Sequence, residues 1–247
     1  MGLRGLADAS HEATRVRAIK LSEQIVGRIG SRLAAQPGMD SDLSETQVCQ
    51  EFGVSRTVAR EVLQTLASIG MVKVSHGRRS RILPPSEWDH LSPVVLRFYG
   101  DAREVRTVMA ELHDVRLILE PEIAARAAEL AAPHHLAELR TCLETMARSL
   151  REPSVYMEAD LAFHDVLVKA SENRVLNRIM ELNQSLLHSS RQITNEIPHG
   201  LVEASLAHRR VYEAVAAGDS DRARLEMYEH ICFAARAWKS QPPAGER

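Results

Sequence analysis

Along the first forty residues, Ile19, Leu21, Ile25, Val26, Ile29 and Leu33 recur at helical spacing, so they gather on one apolar stripe. The pattern predicts a helix from Val16 that stops before Gln36-Pro37-Gly38, where proline and glycine interrupt it. Ser44 followed by Gln47 is a capping-box pattern, and ETQVCQEF reads as a short second helix. Gly53-Val54 makes a turn, after which Ser55 caps a longer helix to about Ser68, closed by Gly70. In that helix Val58, Val62, Leu63, Leu66 and Ile69 form the inward stripe. Arg56, Arg60 and Gln64 lie along another face, with Thr57 beside the first arginine. Then the period shortens. MVKVS (71–75) and RSRIL (79–83), joined by His76-Gly77-Arg78, read as a β-hairpin.

Beyond Pro84-Pro85-Ser86 only helical patterns follow, at roughly 87–99, 104–130, 134–150, 153–171, 174–196, 201–217 and 219–239. Their breaks fall at Pro133, Pro153, Asn173, Pro198-His199-Gly200 and Gly218-Asp219. The expected fold is mainly α: an N-terminal winged helix-turn-helix, then an all-α antiparallel helical bundle. Residues 1–14 are expected to be a flexible tail, 15–83 the winged helix-turn-helix and 84–103 a linker with a connecting helix. Residues 104–240 then form the helical domain, and 241–247 a second tail.

Composition narrows the class. At 247 residues the chain holds two modest domains, and 45% hydrophobic with only 4% aromatic residues suits helices better than a β-sandwich. No run of about 18 apolar residues marks a membrane span, and the N-terminus has no apolar signal region. Cys49, Cys142 and Cys232 are far apart and form no disulfide framework, which fits a reducing cytoplasm. The net charge of −2 is unevenly divided. Residues 1–83 carry 12 Lys and Arg against 8 Asp and Glu, whereas residues 84–247 carry 19 against 25. A basic N-terminal piece on an acidic body suggests two jobs, one of them at a polyanion.

Arginines at the start of a helix in such a motif suit the major groove, because a guanidinium bonds guanine O6 and N7 bidentately. EFGVSRTVAREVLQTLASIG followed by VKVSHGRRSRIL resembles the DNA-binding domain of GntR-family transcription factors, and Pro37-Gly38, Leu43 and Ser44-Glu45 match its approach to the second helix. The resemblance implies that Arg56, Thr57 and Arg60 contact double-stranded DNA, with His76, Gly77 and Arg78 at the wing and Arg79 beside them. It also implies a homodimer on a palindromic operator. Two departures stand out: Thr46 replaces a residue that is often basic in the family, and Val58-Ala59 replaces the more usual Pro-Val.

In EADLAFHDVLV (158–168), Asp160 and His164 share a helix face at i and i+4. Alone they are either a surface pair or two ligands of a metal. The helical remainder resembles the ligand-binding domain of the FadR-like branch, often called FCD, over residues 104–239. That resemblance turns on four residues: Asp160, His164, His208 and His230. It implies a divalent metal, zinc first with nickel, manganese or iron also suited to imidazole and carboxylate ligands. Positions left open would receive water or a bound acid. Arg116 forms an intrahelical pair with Glu120 or, as the resemblance implies, faces the metal cavity and receives a small carboxylate effector. Arg191 is a second candidate for that cavity. The segment SEWDHLSPVVLRFYG is similar to family members that respond to sugar acids. The expected protein is a metabolite-responsive repressor, with a metal-responsive regulator as the alternative. A metal-dependent enzyme is disfavoured, because no general base or nucleophile motif accompanies the histidines.

Overall fold

A computed structural model describes residues 21–38, 41–74, 79–99, 102–195 and 200–239. The two expected tails, the start of the first helix at 16–20 and the wing residues His76, Gly77 and Arg78 lie outside the described residues. The chain divides into two compact units between Glu104 and Val105.

In the first unit, α1 (21–35) leads to β1 (Asp42–Leu43), α2 (Glu45–Phe52) and α3 (Arg56–Ser68). Gln47 N–H donates to the Ser44 hydroxyl at 3.2 Å, and Ser44 N–H donates to the Gln47 side chain at 2.8 Å, closing the capping box on α2. Gly53 ends α2 at φ 65°, a left-handed conformation that glycine adopts without a Cβ penalty. Ser55 caps α3 by accepting from Val58 N–H. The apolar stripes of α1 and α3 meet: Ile25, Ile29, Leu33, Val62, Leu63 and Leu66 form one core.

β2 (Val72–Lys73) and β3 (Ser80–Ile82) pair antiparallel, with Val72 opposite Ile82. β1 joins the other edge of β3, with Asp42 opposite Arg81, so the sheet order is β1-β3-β2. This third strand escapes sequence pattern because two residues are too few to show alternation.

The helix expected over 87–99 is corrected. Pro85–Glu87 is a 3-10 turn, Trp88 is extended (φ −73°, ψ 152°), and only α4 (Pro93–Tyr99) is α-helical. Pro93 has no N–H to continue an earlier helix, and it disfavours the α conformation at Ser92. The extended backbone lets the Trp88 ring enter the core beside Val95 and Phe98, while its indole N–H donates to the Leu83 carbonyl at 2.9 Å.

The second unit follows the helical pattern closely. It consists of α5 (Ala102–Leu130, beginning at the boundary), α6 (Pro133–Arg148), α7 (Pro153–Ala170), α8 (Arg174–Asn195), α9 (Gly200–Ala216) and α10 (Ser220–Lys239). Among the described helices α6 packs on α7 and α9, α7 on α8, and α9 on α10. Tyr156, Phe163, Leu139, Met146, Leu167 and Met227 are fully buried side chains of its core. Among the described residues no helix is long and apolar enough to cross a membrane.

Gly70 closes α3 at φ 73°, and a Cβ there would lie 2.8 Å from the Glu87 carbonyl oxygen. Both the conformation and the close approach oppose a side chain. Gly70→Ala is expected to cost about 1–3 kcal/mol, read as a lowered urea midpoint by circular dichroism. An unchanged midpoint would show that the segment after α3 yields without cost.

Candidate metal centre

The bundle of the second unit buries more polar chemistry than packing needs. Asp160 and His164 lie one turn apart on α7, His208 lies on α9 and His230 on α10, and all four are buried. Each offers one ligand atom, and these atoms all lie within 4.8 Å of one another. His208 Nε2 is 2.8 Å from Asp160 Oδ1 and 3.3 Å from His164 Nε2. His164 Nε2 is 4.0 Å from the same carboxylate oxygen. The His208 and His230 rings are 4.2 Å apart between centroids, and Phe163 meets His208 edge-on at 5.0 Å. The local cause is helical spacing: the four-residue step from Asp160 to His164 turns both side chains to one face. The bundle then brings the histidines of α9 and α10 to it.

Proton positions follow from the far side of each ring. His208 Nδ1 lies 2.7 Å from the Ala204 carbonyl oxygen, which only accepts, so Nδ1 carries the proton. His164 Nδ1 lies 2.5 Å from Glu120 Oε2, an ion-pair contact with an oxygen that can only accept, so Nδ1 carries the proton there too. In neutral rings both Nε2 atoms therefore present lone pairs toward each other and toward Asp160. His230 Nδ1 is buried and makes no hydrogen bond among the described residues. Converging lone pairs and a carboxylate oxygen repel unless a cation lies among them, so the donor set fits a divalent metal.

Burial is the largest cause holding His230 well below the ordinary imidazole range, with the neighbouring His208 and His164 adding to it. The Tyr156 phenol is pushed far upward, first by burial and then by the Asp160 carboxylate, so it stays protonated. On α5, Arg116 Nε donates to Glu120 Oε1 at 2.6 Å, and both side chains are almost wholly buried, at 3% and 2% exposed. Breaking such a buried pair by removing one partner costs roughly 3–5 kcal/mol.

The four expected metal ligands thus stand together. The intrahelical Arg116–Glu120 pair forms, and through Glu120 it reaches His164. Arg191 is in α8, but its side chain lies outside those described. His188 is exposed. Three buried groups were missed by sequence reasoning: Glu120 as a partner of His164, Tyr156, and His113. A signal existed for two of them. His113, Arg116 and Glu120 fall at i, i+3 and i+7, one polar face of a helix whose other side is also needed for packing.

In the first unit, Arg56, Thr57, Arg60 and Gln64 are exposed on α3. Arg60 is engaged by Glu45, Nε to Oε1 at 2.9 Å and Nη2 to Oε2 at 3.4 Å, which raises the guanidinium and lowers the carboxyl. Arg79 pairs with Asp42 at 3.1 Å across the β1–β3 ladder.

Comparison with known proteins gives two family matches: "Bacterial regulatory proteins, gntR family" over residues 21–82 and "FCD domain" over residues 111–232. The galactonate operon transcriptional repressor of Escherichia coli is 25% identical over 201 residues, spanning 79% of this chain and 86% of that protein. The HTH-type transcriptional regulator LutR of Bacillus subtilis is 30% identical over 202 residues, spanning 79% of this chain and 90% of that protein. A solved structure titled "Lar controls the expression of the Listeria monocytogenes agr system and mediates virulence" superposes with a TM-score of 0.57. It covers 89% of this chain and 97% of that one at 19% identity, a likeness of fold.

The depressed His230 gives a pH dependence with a definite sign. The unfolded chain takes up a proton near pH 6.5 that the folded chain refuses, so stability falls as pH drops below that value. In chelator-treated protein this group is expected to contribute a slope approaching about 1.4 kcal/mol per pH unit. Urea titrations from pH 7.5 to 5 should show the slope flattened in His230→Leu; equal slopes in both proteins would place the acid sensitivity elsewhere.

Proposed function

The chain belongs to the gntR family of bacterial regulatory proteins and carries an FCD domain, and on that footing we propose that a small carboxylate metabolite controls its hold on DNA from a metal site in the second unit. It is a transcriptional regulator, not an enzyme. The observation that carries the proposal is the buried quartet of Asp160, His164, His208 and His230, with its ligand atoms within 4.8 Å. Zinc suits this donor set, as do nickel, manganese and iron. A divalent ion held there supplies a Lewis-acidic seat for one carboxylate oxygen of the effector.

The chain's own residues supply the rest. Arg116 is fixed at Nε by Glu120, which leaves the Nη edge of its guanidinium to receive the effector's carboxylate. Arg191 on α8 is a second cation for the same anion. A sugar or hydroxy acid is the class favoured, supported by the relative named for the galactonate operon. Arg56, Thr57 and Arg60 read the major groove from α3, and His76, Gly77 and Arg78 serve the wing. Two copies bind a palindromic operator as a homodimer, because protein two-fold symmetry is mirrored in the site. The protein acts as a repressor. Control is a population shift: the effector binds one arrangement of the second unit more tightly, and that difference sets how far DNA affinity changes.

Two measurements test the proposal. In gel-shift titrations on the protein's own promoter fragment, Arg56→Ala is expected to weaken binding about tenfold or more, the cost of losing one bidentate base contact. Undiminished binding would remove α3 as the reading helix. In a thermal-shift screen of hydroxy, keto and sugar acids on zinc-loaded protein, the hit should raise Tm by mass action. Arg116→Ala should abolish that shift. Reversal of DNA binding by chelation, with no acid active, would instead make metal the effector.

A further inference from the structure

Glu120 is a carboxylate with two oxygens and two different clients. Oε1 accepts from Arg116 Nε at 2.6 Å, while Oε2 makes an ion-pair contact with His164 Nδ1 at 2.5 Å. The three groups are 2–5% exposed, so water does not stand in for any of them. Arg116 and Glu120 lie on α5, whereas all four metal ligands lie on α7, α9 and α10. Helix α5 thus supplies no ligand to the quartet, yet it reaches His164 through the Glu120 side chain.

We propose that Glu120 is a positioning residue that couples the metal site to the anion site, holding His164 for the ion with one oxygen and Arg116 for the effector with the other. The coupling rests on the metal site proposed above. A neutral imidazole can ligate through Nε2 only when Nδ1 keeps the proton, and an acceptor at Nδ1 fixes that tautomer and the ring's orientation. His208 obtains the same service from the Ala204 backbone carbonyl, which is fixed and uncharged. His164 obtains it from an ionised side chain that is itself bound to a cation. The two histidines therefore differ: only the His164 branch passes charge onward to a second binding group. When an anion draws on the Arg116 guanidinium, the share of that cation held by Glu120 changes, and with it the acceptor strength at His164. By linkage, whatever factor the anion imposes on metal affinity, the metal imposes on anion affinity.

A structural ion pair alone would make different demands. It would need one oxygen and would leave metal affinity untouched. Glutamine discriminates between these cases, because it offers one acceptor oxygen where two donors need two.

The test is zinc affinity of the full-length chain, measured by competition with a chromophoric chelator, together with the visible spectrum of the cobalt-substituted protein. Glu120→Gln is expected to weaken zinc about 10- to 100-fold while still binding one ion per chain, and to shift the cobalt bands. Arg116→Ala should change zinc affinity severalfold in the wild-type background and leave it unchanged in the Glu120→Gln background. Glu120→Leu combined with Arg116→Met removes both buried charges at similar volume and so guards against misfolding. It should show the same 10- to 100-fold loss. Zinc affinity within twofold of wild type in both Glu120 variants, with unshifted cobalt bands, would overturn the coupling while the metal site stands. Wild-type protein that binds neither zinc nor cobalt would overturn the metal site, and the coupling with it.

Discussion

The second unit is organised around one electrostatic constraint. Two imidazole Nε2 atoms, each on a ring whose Nδ1 lies against an oxygen on the far side, face a carboxylate oxygen in a place water hardly reaches. Groups of this kind are costly to bury unless something positive satisfies them. A core of the same volume filled with leucine would be easier to build. The bundle instead keeps Phe163 against the imidazoles and places Arg116 and Glu120 behind them. Packing and polarity agree here: the apolar walls exclude water, and the exclusion strengthens each charge interaction inside.

Local chemistry made much of the fold legible. Ser44 with Gln47, Ser55 and Gly53 are short-range devices, so α2 and α3 follow from the residues that form them. The long helices of the second unit announce themselves by period and by the proline and glycine breaks between them. Strand β1 was hidden because its only argument is its partner: Asp42 and Leu43 become a strand by meeting Arg81 and Ser80. The segment around Trp88 misled for the opposite reason. Its apolar residues fit a helical period, but Pro93 and the burial of the indole impose an extended start.

The site was legible in part. Asp160 and His164 are visible as a pair because a helix guarantees their common face. His208 and His230 join them only through tertiary packing, which no period encodes, and family resemblance supplied that link. Glu120 was concealed by a sufficient local explanation. Four residues after Arg116, it needs no further partner to make sense, yet the fold gives it one in His164. The two accounts of Arg116, ion pair and site residue, are thus compatible.

The first unit shows the same economy at its surface. Arg60, on the exposed face of α3, lies against Glu45, so the DNA contact proposed for it would require that guanidinium to exchange its carboxylate partner. Family membership establishes the regulator; the control proposed for the helical unit turns on whether the buried quartet holds an ion. Anomalous diffraction at the zinc absorption edge, from crystals grown with zinc, tests this most directly. The account predicts one strong peak per chain, within ligand distance of Asp160, His164, His208 and His230. A map with no peak there, and the four side chains closed on one another by hydrogen bonds, would contradict it.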